Sequence, residues 1–334
     1  MQSIWWAAFG YFAAYVPYSF LTKELTTTHG GGLQLTGVQL LAGSTLASVA
    51  TALAFLGITG WWREAPRFQV GSLRVPYPTL WPALSGLCST AIIATTTLSY
   101  TFDGASIVLM MLLMRGGVLV IAPVVDFASR RGVQPRSWIA LGLTLGGVAV
   151  ATVGRIDLVL TLAALLDIAV YLAAYFVRLR LMSHAGKRVD AAANRRFFVE
   201  EQLVSSPALV LLLLSLAWLG DGALSQQLRS GYAQAFSAPN AWLILAVGVA
   251  SQGTGVFGAL VLLDPREHSF CVPVNRGSSI LAGVTATALL AMFAGGAALS
   301  VRELFGASLV MLAMGMLALP PGVFRTAPRM SPGG

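Results

Sequence analysis

The sequence predicts an all-α integral membrane protein with ten transmembrane helices arranged as two inverted five-helix repeats. Three observations predict this fold class: an apolar composition, ten apolar runs joined by mostly short links, and a similarity between the two halves of the chain. Of the 334 residues, 56% are hydrophobic and only 10% are charged, whereas a soluble domain carries roughly 25% charged residues. Most of the surface is therefore expected to face lipid.

The apolar runs are the predicted membrane spans, because a helix needs about 20 mostly apolar residues to cross roughly 30 Å of hydrocarbon. In chain order they cover residues 4–22, 36–60, 80–101, 104–128, 137–154, 158–178, 198–219, 241–263, 269–294 and 303–320. The first run has no basic region before it and no convincing cleavage site, so we predict a retained helix and not a signal peptide.

The two halves of the chain match at one common spacing. The matched positions are Trp81 with Trp242, Asp103 with Asp264, and Arg115 with Arg276, each arginine being followed by a glycine. Matches of Leu or Ala arise easily by chance in apolar segments, but matches of Trp, Asp and Arg-Gly do not. An internal duplication in a hydrophobic chain is typical of transporters. We therefore predict two domains, 1–155 and 156–320, followed by a disordered cytoplasmic tail at 321–334.

Basic residues predict the orientation of the chain in the membrane. Most of the 21 Lys and Arg residues lie in the links 61–79, 129–136 and 179–197 or in the tail, and an excess of Lys and Arg marks cytoplasmic links. Both termini are therefore predicted to be cytoplasmic, with the protein in the plasma (inner) membrane. Because five helices per half is an odd number, the two halves would insert with opposite orientations, as in transporters that open alternately to the two sides.

Two stretches of the first half carry a family resemblance. Residues 137–151 read SWIALGLTLGGVAVA, a Trp followed by a Gly-rich span, and residues 104–126 read GASIVLMMLLMRGGVLVIAPVVD. With the ten-helix architecture, they resemble the fifth and fourth helices of the drug/metabolite transporter (DMT) superfamily, in its EamA-like branch. The Arg-Gly pair is similar to the nucleotide-sugar-transporter-like members. The family's usual Pro in the middle of the fourth helix is missing, since Pro123 lies further on. The resemblance implies a multi-pass secondary transporter.

Two arginines lie deep inside predicted spans, at equivalent positions of the two halves. Arg115 and Arg276 are each near the midplane, where an Arg costs at least ~2.5–3.5 kcal/mol, so each should face a wet cavity or a partner. A guanidinium is permanently charged and presents a donor fork that suits carboxylate or phosphate. The arginines are therefore either a clamp for an anionic substrate or partners of internal acids, and we favour the clamp.

Helices 1 and 6 carry similar polar stripes. Asp167, Tyr171 and Tyr175 share one face of the sixth span, and Tyr11 and Tyr15 lie on the equivalent face of the first. These stripes predict the walls of a polar cavity. Asp167 is the only acid deep in a span, and it is either a proton-coupling site or a fixed partner of one arginine. The ion pair is the favoured interpretation.

An amide in each of two further spans completes the predicted substrate-binding set. Gln252 in the eighth span is poorly suited to face lipid, and Asn275 adjoins Arg276. The predicted substrate-binding residues are Arg115, Arg276, Asn275, Gln252, Asp167, Tyr171, Tyr15 and Tyr11.

These features predict alternating-access transport of a small polar metabolite, anionic or zwitterionic. The alternatives are a proton-coupled exporter of organic cations or drugs, and a non-transporting membrane scaffold or enzyme. No nucleophile elbow, phosphate loop, paired catalytic carboxylates or metal-ligand spacing appears, so we predict no catalytic residues, metal or cofactor. The expected partners are a small-molecule substrate, the lipid bilayer, a proton or counter-substrate, and a second copy in a homodimer. The net charge of +8 follows membrane topology, so nucleic acid is not an expected partner.

Overall fold

A computed structural model describes residues 4–26, 34–71, 73–98, 107–152, 162–187, 190–237, 239, 241–293 and 300–319. Within these residues the chain forms α-helices joined by short links and one β-hairpin. The helices are α1 (Ile4–Thr26), α2 (Gly37–Thr59), α3 (Leu80–Leu98), α4 (Ile107–Ala128), α5 (Pro135–Thr152), α6 (Leu162–Leu181), α7 (Ala191–Leu219), α8 (Ala223–Ser237), α9 (Ala241–Leu262), α10 (His268–Phe293) and α11 (Val301–Ala318). A π-helical turn, Met182–Gly186, continues α6.

Five of the described helical segments are long and apolar enough to cross a membrane. They are α2, α6 with its π-helical turn (Leu162–Gly186), α7, α9 and α10. Large apolar side chains also lie exposed on the outer faces of the helices, including Ile58, Phe127 and Leu219, which are each 85% exposed or more. Apolar exposure of this extent suits contact with lipid. The structure thus supports the predicted helical membrane protein.

Each predicted span overlaps a helix, but two links hold structure that the apolar runs do not reveal. The link 220–240 contains α8, whose buried Leu228 and Tyr232 pack with residues of α2 and α7. The link 61–79 contains a 3-10 turn (Trp61–Glu64) and the antiparallel strands β1 (Arg67–Val70) and β2 (Leu73–Pro76). Both segments alternate apolar with polar residues, so a search for apolar runs passes over them.

Local sequence signals set several helix ends. α2 begins with a capping box in which Thr36 and Gln39 exchange hydrogen bonds with each other's backbone N–H groups. It ends at Gly60, whose φ of 69° suits a residue without a side chain. α7 begins at Ala191, earlier than predicted, because the Asp190 carboxylate accepts a hydrogen bond from the backbone N–H of Ala192 (2.9 Å).

The helices pack in pairs that are retained when the two halves are exchanged. α1 packs against α9 and α10, and α6 packs against α3 and α4. α2 packs against α9 just as α7 packs against α3, and α5 packs against α11. Glycines permit the close crossings. A Cβ at Gly86 would lie 2.8 Å from the backbone oxygen of Glu201, and a Cβ at Gly248 would clash with the backbone oxygen of Ser44.

α1 and α10 run parallel. Near their beginnings, the rings of Trp5 and Phe270 lie 6.5 Å apart. Towards their ends, Lys23 Nζ donates a hydrogen bond to Thr287 Oγ1 (2.6 Å). The two helices therefore begin at the same end of the protein.

α6 and α10 run antiparallel. The guanidinium carbon of Arg276 lies 5.0 Å from the ring centroid of Tyr175. Further along α6, the carbonyl of Leu179 accepts a hydrogen bond from His268 Nε2 (3.0 Å), at the beginning of α10. Because α1 runs parallel to α10, α1 and α6 run in opposite directions.

The largest cluster of buried apolar side chains includes Leu119 of α4, Leu179 of α6 and Phe270 of α10. The predicted domain boundary between 155 and 156 and the predicted tail at 321–334 lie outside the described residues.

Candidate functional site

A cavity of about 340 Å³ lies among α1, α2, α3, α4, α6, α7, α9 and α10. We call it the central cavity. At one end, the Thr22 end, it is lined by the half-buried Thr22 of α1 and Gly37 of α2. At the other, the Arg178 end, it is lined by buried residues that include Arg178 and Gln202. The described walls therefore enclose the cavity more tightly at the Arg178 end.

The structure brings nearly all the predicted substrate-binding residues together around this cavity. Those that line it are Arg115, Arg276, Asn275, Gln252, Tyr171, Tyr15 and Tyr11. They come from α1, α4, α6, α9 and α10, so both halves of the chain contribute. The matched arginines thus face one shared space.

Asp167 departs from its predicted place. It is buried, but it does not line the central cavity. Its Oδ2 atom has no hydrogen-bond partner among the described residues, and no ion pair joins it to another described residue. It lies one helical turn before Tyr171, where its neighbours Ala164 and Ile168 belong to the apolar core. The expectation that Asp167 neutralises Arg115 or Arg276 is therefore wrong.

Arg276 is enclosed by aromatic rings. Its residue is only 8% exposed, and its Nε and Nη2 atoms have no hydrogen-bond partner among the described residues. The guanidinium lies over the ring of Tyr175, which in turn packs at 4.9 Å on the ring of Tyr171. The electron-rich faces of such rings attract a cation without neutralising it. A permanent positive charge is thus held in the cavity wall.

Arg115 is linked to a row of tyrosines on α1. Its Nη2 atom donates a hydrogen bond to Tyr15 Oη (3.2 Å). The Tyr15 ring lies 5.5 Å from the rings of both Tyr11 and Tyr18. The row gives this wall an apolar surface with phenolic oxygens at its edge.

An ion pair closes the Arg178 end. Arg178 Nε lies 2.7 Å from Glu201 Oε1, and the same oxygen accepts hydrogen bonds from Ser85 Oγ (2.9 Å) and Ser89 Oγ (3.0 Å). Glu201 is fully buried, and its Oε2 atom has no partner among the described residues. This cluster joins α3, α6 and α7. Sequence reasoning did not select it, because charges near span ends usually reflect the membrane interface.

α7 and α9 supply an uncharged polar wall. Gln252 Nε2 donates to Gln202 Oε1 (2.9 Å), and Gln252 Oε1 accepts from Ser206 Oγ (3.3 Å). Ser205 and Ser251 line the same side. Of these residues, the sequence singled out only Gln252 for this role. The α7 residues were missed because their placement depends on how α7 packs against α2 and α3.

The charge on the cavity lining is positive. Among the described residues that line it, the charged side chains are Arg115, Arg178 and Arg276, and none is acidic. Glu201 compensates Arg178 from behind the wall. The arrangement can hold an anion between Arg115 and Arg276 and offer hydrogen bonds along the opposite wall.

Comparison with known proteins informs the fold alone. No protein-family model matches the chain, and no curated protein matches it. A solved crystal structure superposes with a TM-score of 0.55, covering 94% of this chain and 98% of that chain, at 18% sequence identity. The arrangement of helices is therefore shared with a solved structure over nearly the full length of both chains.

Proposed function

We propose that the protein is a secondary transporter that moves a small organic anion or zwitterion by alternating access through the central cavity. The observation that carries this proposal is Arg276, a buried arginine without a carboxylate partner among the described residues, in the wall of a cavity. A charged residue within a membrane protein is costly and marks a substrate or ion pathway by default. A substrate oxyanion would supply the missing partner.

The packing of the helices supports an inverted repeat. Exchanging α1–α5 with α6, α7, α9, α10 and α11 preserves most of the extensive helix pairs, and α1 and α6 run in opposite directions. We take these ten helices to cross the membrane and α8 to lie at its surface. This is the architecture of alternating-access transporters, and it agrees with the resemblance to the drug/metabolite transporter superfamily.

The cavity is enclosed more tightly at the Arg178 end than at the Thr22 end, as expected for one state of an alternating-access cycle. The Arg178–Glu201 pair and the serines that bind it hold α3, α6 and α7 together at one end. In the proposed orientation, with both termini cytoplasmic, this is the cytoplasmic end. Opening it would require the ion pair to separate or move with one helix.

The lining argues against the alternative of organic cation export. A cation exporter that exchanges drug for protons needs a carboxylate exposed to the binding site. None of the described lining residues is acidic, and Asp167 lies away from the cavity. The cavity also favours a transporter over a scaffold, because a scaffold has no need of charged groups around an internal space.

Uptake into proteoliposomes tests the proposal. The full-length protein would be reconstituted and offered radiolabelled organic anions, amino acids and organic cations. We expect saturable uptake of at least one anion or amino acid, abolished in Arg276→Ala and retained in Arg74→Ala, which removes an exposed arginine of the hairpin. Uptake of organic cations alone, or equal uptake by both variants, would refute it.

A further inference from the structure

The central cavity has two walls of different chemistry. α1, α4, α6 and α10 contribute the tyrosines together with Arg115 and Arg276. On the opposite side, the polar groups that α7 and α9 contribute are all uncharged, and they centre on the hydrogen-bonded pair Gln202 and Gln252. A ligand that fills the cavity therefore meets positive charge on one side and neutral donors and acceptors on the other.

Among the described residues, the acids near the cavity are not available to a bound ammonium group. Glu201 does not line the cavity, and its Oε1 atom is already engaged by Arg178, Ser85 and Ser89. Asp167 does not reach the lining. A ligand ammonium would thus lose its water without gaining a carboxylate, which is costly in a partly dehydrated site. The nearby guanidinium groups would repel it further.

One edge of the buried Arg276 guanidinium has no hydrogen-bond partner among the described residues. Its Nε and Nη2 atoms, both unpartnered among the described residues, lie side by side on the same edge of the planar group. Two parallel N–H donors in this arrangement match the two oxygens of a carboxylate or phosphate. The ring of Tyr175 packs on the face of the Arg276 guanidinium, with its centroid 5.0 Å from the guanidinium carbon. An oxyanion would therefore bind at the edge of the guanidinium and not at this face.

We infer that the substrate is an organic anion that carries a carboxylate or phosphate at one end, carries neutral amide or hydroxyl groups at the other, and has no free ammonium group. Its oxyanion binds the Nε/Nη2 edge of Arg276, and its neutral end binds the Gln202–Gln252 wall. This inference rests on the proposed transport function and narrows it, because it excludes zwitterions.

Matched ligands that differ only by acetylation of an amine test this inference. One pair is phenylalanine and N-acetylphenylalanine, with phenylalanine amide as a control that lacks the carboxylate, and a second pair is glucosamine 6-phosphate and N-acetylglucosamine 6-phosphate. Their dissociation constants for the purified full-length protein would be measured by calorimetry, alongside ligand-induced thermal shifts. We expect an acetylated anion to bind at least about tenfold more tightly than its parent amine. The two pairs also separate a carboxylate ligand from a phosphate ligand.

A charge introduced into the neutral wall should change this preference. Gln252→Glu nearly preserves the side-chain shape and places an acid opposite the arginines, so the zwitterionic parent should gain about tenfold relative to its acetylated form. Gln226→Glu, on the exposed face of α8, adds the same charge elsewhere and should change nothing. Should Gln252→Glu fail to fold, Ser251→Asp places an acid at a half-buried position of the same wall.

The outcomes separate this inference from the proposed function. Tighter binding of parent amines to the unaltered protein, or an unchanged preference in folded Gln252→Glu and Ser251→Asp, would overturn the inference. Uptake of zwitterions that is lost in Arg276→Ala would overturn it while leaving the transport function in place. If no ligand of any charge binds and none is taken up by proteoliposomes, both fail.

Discussion

Arg276 is buried, and two of its guanidinium nitrogens have no hydrogen-bond partner among the described residues. This combination yields opposite expectations for binding and for stability. Arg276→Met removes the charge while keeping most of the side-chain volume. Because Nε and Nη2 have no partner among the described residues to lose, we expect the free energy of unfolding in detergent to stay the same or rise. Binding of the anionic ligand should weaken roughly 10- to 100-fold, since a hydrogen-bonded charge pair is lost.

Arg276→Lys separates a bidentate contact from a simple charge. An ammonium keeps the positive charge but lacks the planar fork, so it should restore little of the affinity. Full restoration of the dissociation constant by lysine would contradict a bidentate contact. A large loss of stability in Arg276→Met would instead indicate that the arginine is structural.

Arg178, in contrast to Arg276, is expected to stabilise the fold. Arg178→Met would leave the fully buried Glu201 carboxylate without its cation, and breaking a buried pair from one side costs about 3–5 kcal/mol. Chemical denaturation should show this loss of stability. The double variant Arg178→Met/Glu201→Gln should recover much of it, and a double variant as unstable as the single one would contradict the pairing.

Asp167→Asn addresses the residue whose place the sequence mispredicted. Asp167 lies outside the cavity lining, so we expect its neutral variant to keep the affinity of the unaltered protein for the anionic ligand. Calorimetry would measure this directly. A loss of affinity comparable to that of Arg276→Met would return Asp167 to the binding site, and proton-independent uptake with normal affinity would make it the coupling site.

At the scale of residues, the sequence pointed to cavity-lining positions where a residue type is rare in its surroundings. Arg115 and Arg276 are conspicuous because an arginine in the middle of an apolar run needs a specific environment. Helical periodicity placed Tyr171 and Asp167 on one face, but it does not say which neighbour covers each turn of that face. The placement of Gln202 and Glu201 depends on the packing of α7 against α2 and α3, which no local pattern encodes.

At the scale of elements, an apolar run predicts a helix reliably because lipid offers no partner for backbone N–H and C=O groups. The ten spans therefore overlap ten helices. The amphipathic α8 and the β1–β2 hairpin escape this argument, since each is stabilised by contacts with neighbours and not by its own apolar length. Gly71, with a φ of 61°, marks the hairpin turn.

The junction between α6 and α10 depends on a cap supplied by another helix. Asp126, near the end of α4, accepts hydrogen bonds from the backbone N–H groups of His268 (2.8 Å) and Ser269 (2.7 Å) and from Ser269 Oγ (2.7 Å). Nearby, burial lowers the pKa of Lys187, whose Nζ donates to the carbonyl of Arg266 (2.6 Å). The beginning of α10 is thus held by contacts from two other segments.

Removing this cap should destabilise the whole protein. Asp126→Ala leaves two buried N–H groups at the beginning of α10 without an acceptor, so we expect a loss of about 1–3 kcal/mol in the free energy of unfolding. Asp221→Ala, at an exposed position between α7 and α8, is the matched control and should be neutral. Equal thermal stability of the two variants would show that the cap contributes nothing.

At the scale of the whole molecule, the helix contacts agree with the proposed repeat. That repeat would bring Trp81 onto Trp242, and the crossing of α7 with α3 would then correspond to that of α2 with α9. The sequence did not predict the size of the cavity or the wall that faces the arginines. Those properties arise only when eight helices from both halves meet, and they depend on contacts between distant residues.

The directions in which the helices run also predict the membrane topology. The hairpin follows α2 and α8 precedes α9, and because α2 and α9 run parallel, the two segments lie at opposite ends of the helices. That direction is given by Gly43, whose added Cβ would meet Ile244, and by Ser48 Oγ, which donates to Gly248 O (2.9 Å). If these helices cross the bilayer with both termini cytoplasmic, as the basic residues predict, the hairpin is cytoplasmic and α8 is on the far side.

Cysteine labelling in intact cells tests this arrangement. In a background carrying Cys88→Ala and Cys271→Ala, single cysteines would be introduced as Arg74→Cys in the hairpin and Gln226→Cys in α8, both at exposed positions. A membrane-impermeant maleimide should label Gln226→Cys in intact cells and label Arg74→Cys only after permeabilisation. Because an odd number of spans separates the two sites in the inverted arrangement, labelling of both from the same side would contradict the ten-span topology and, with it, the alternating-access function.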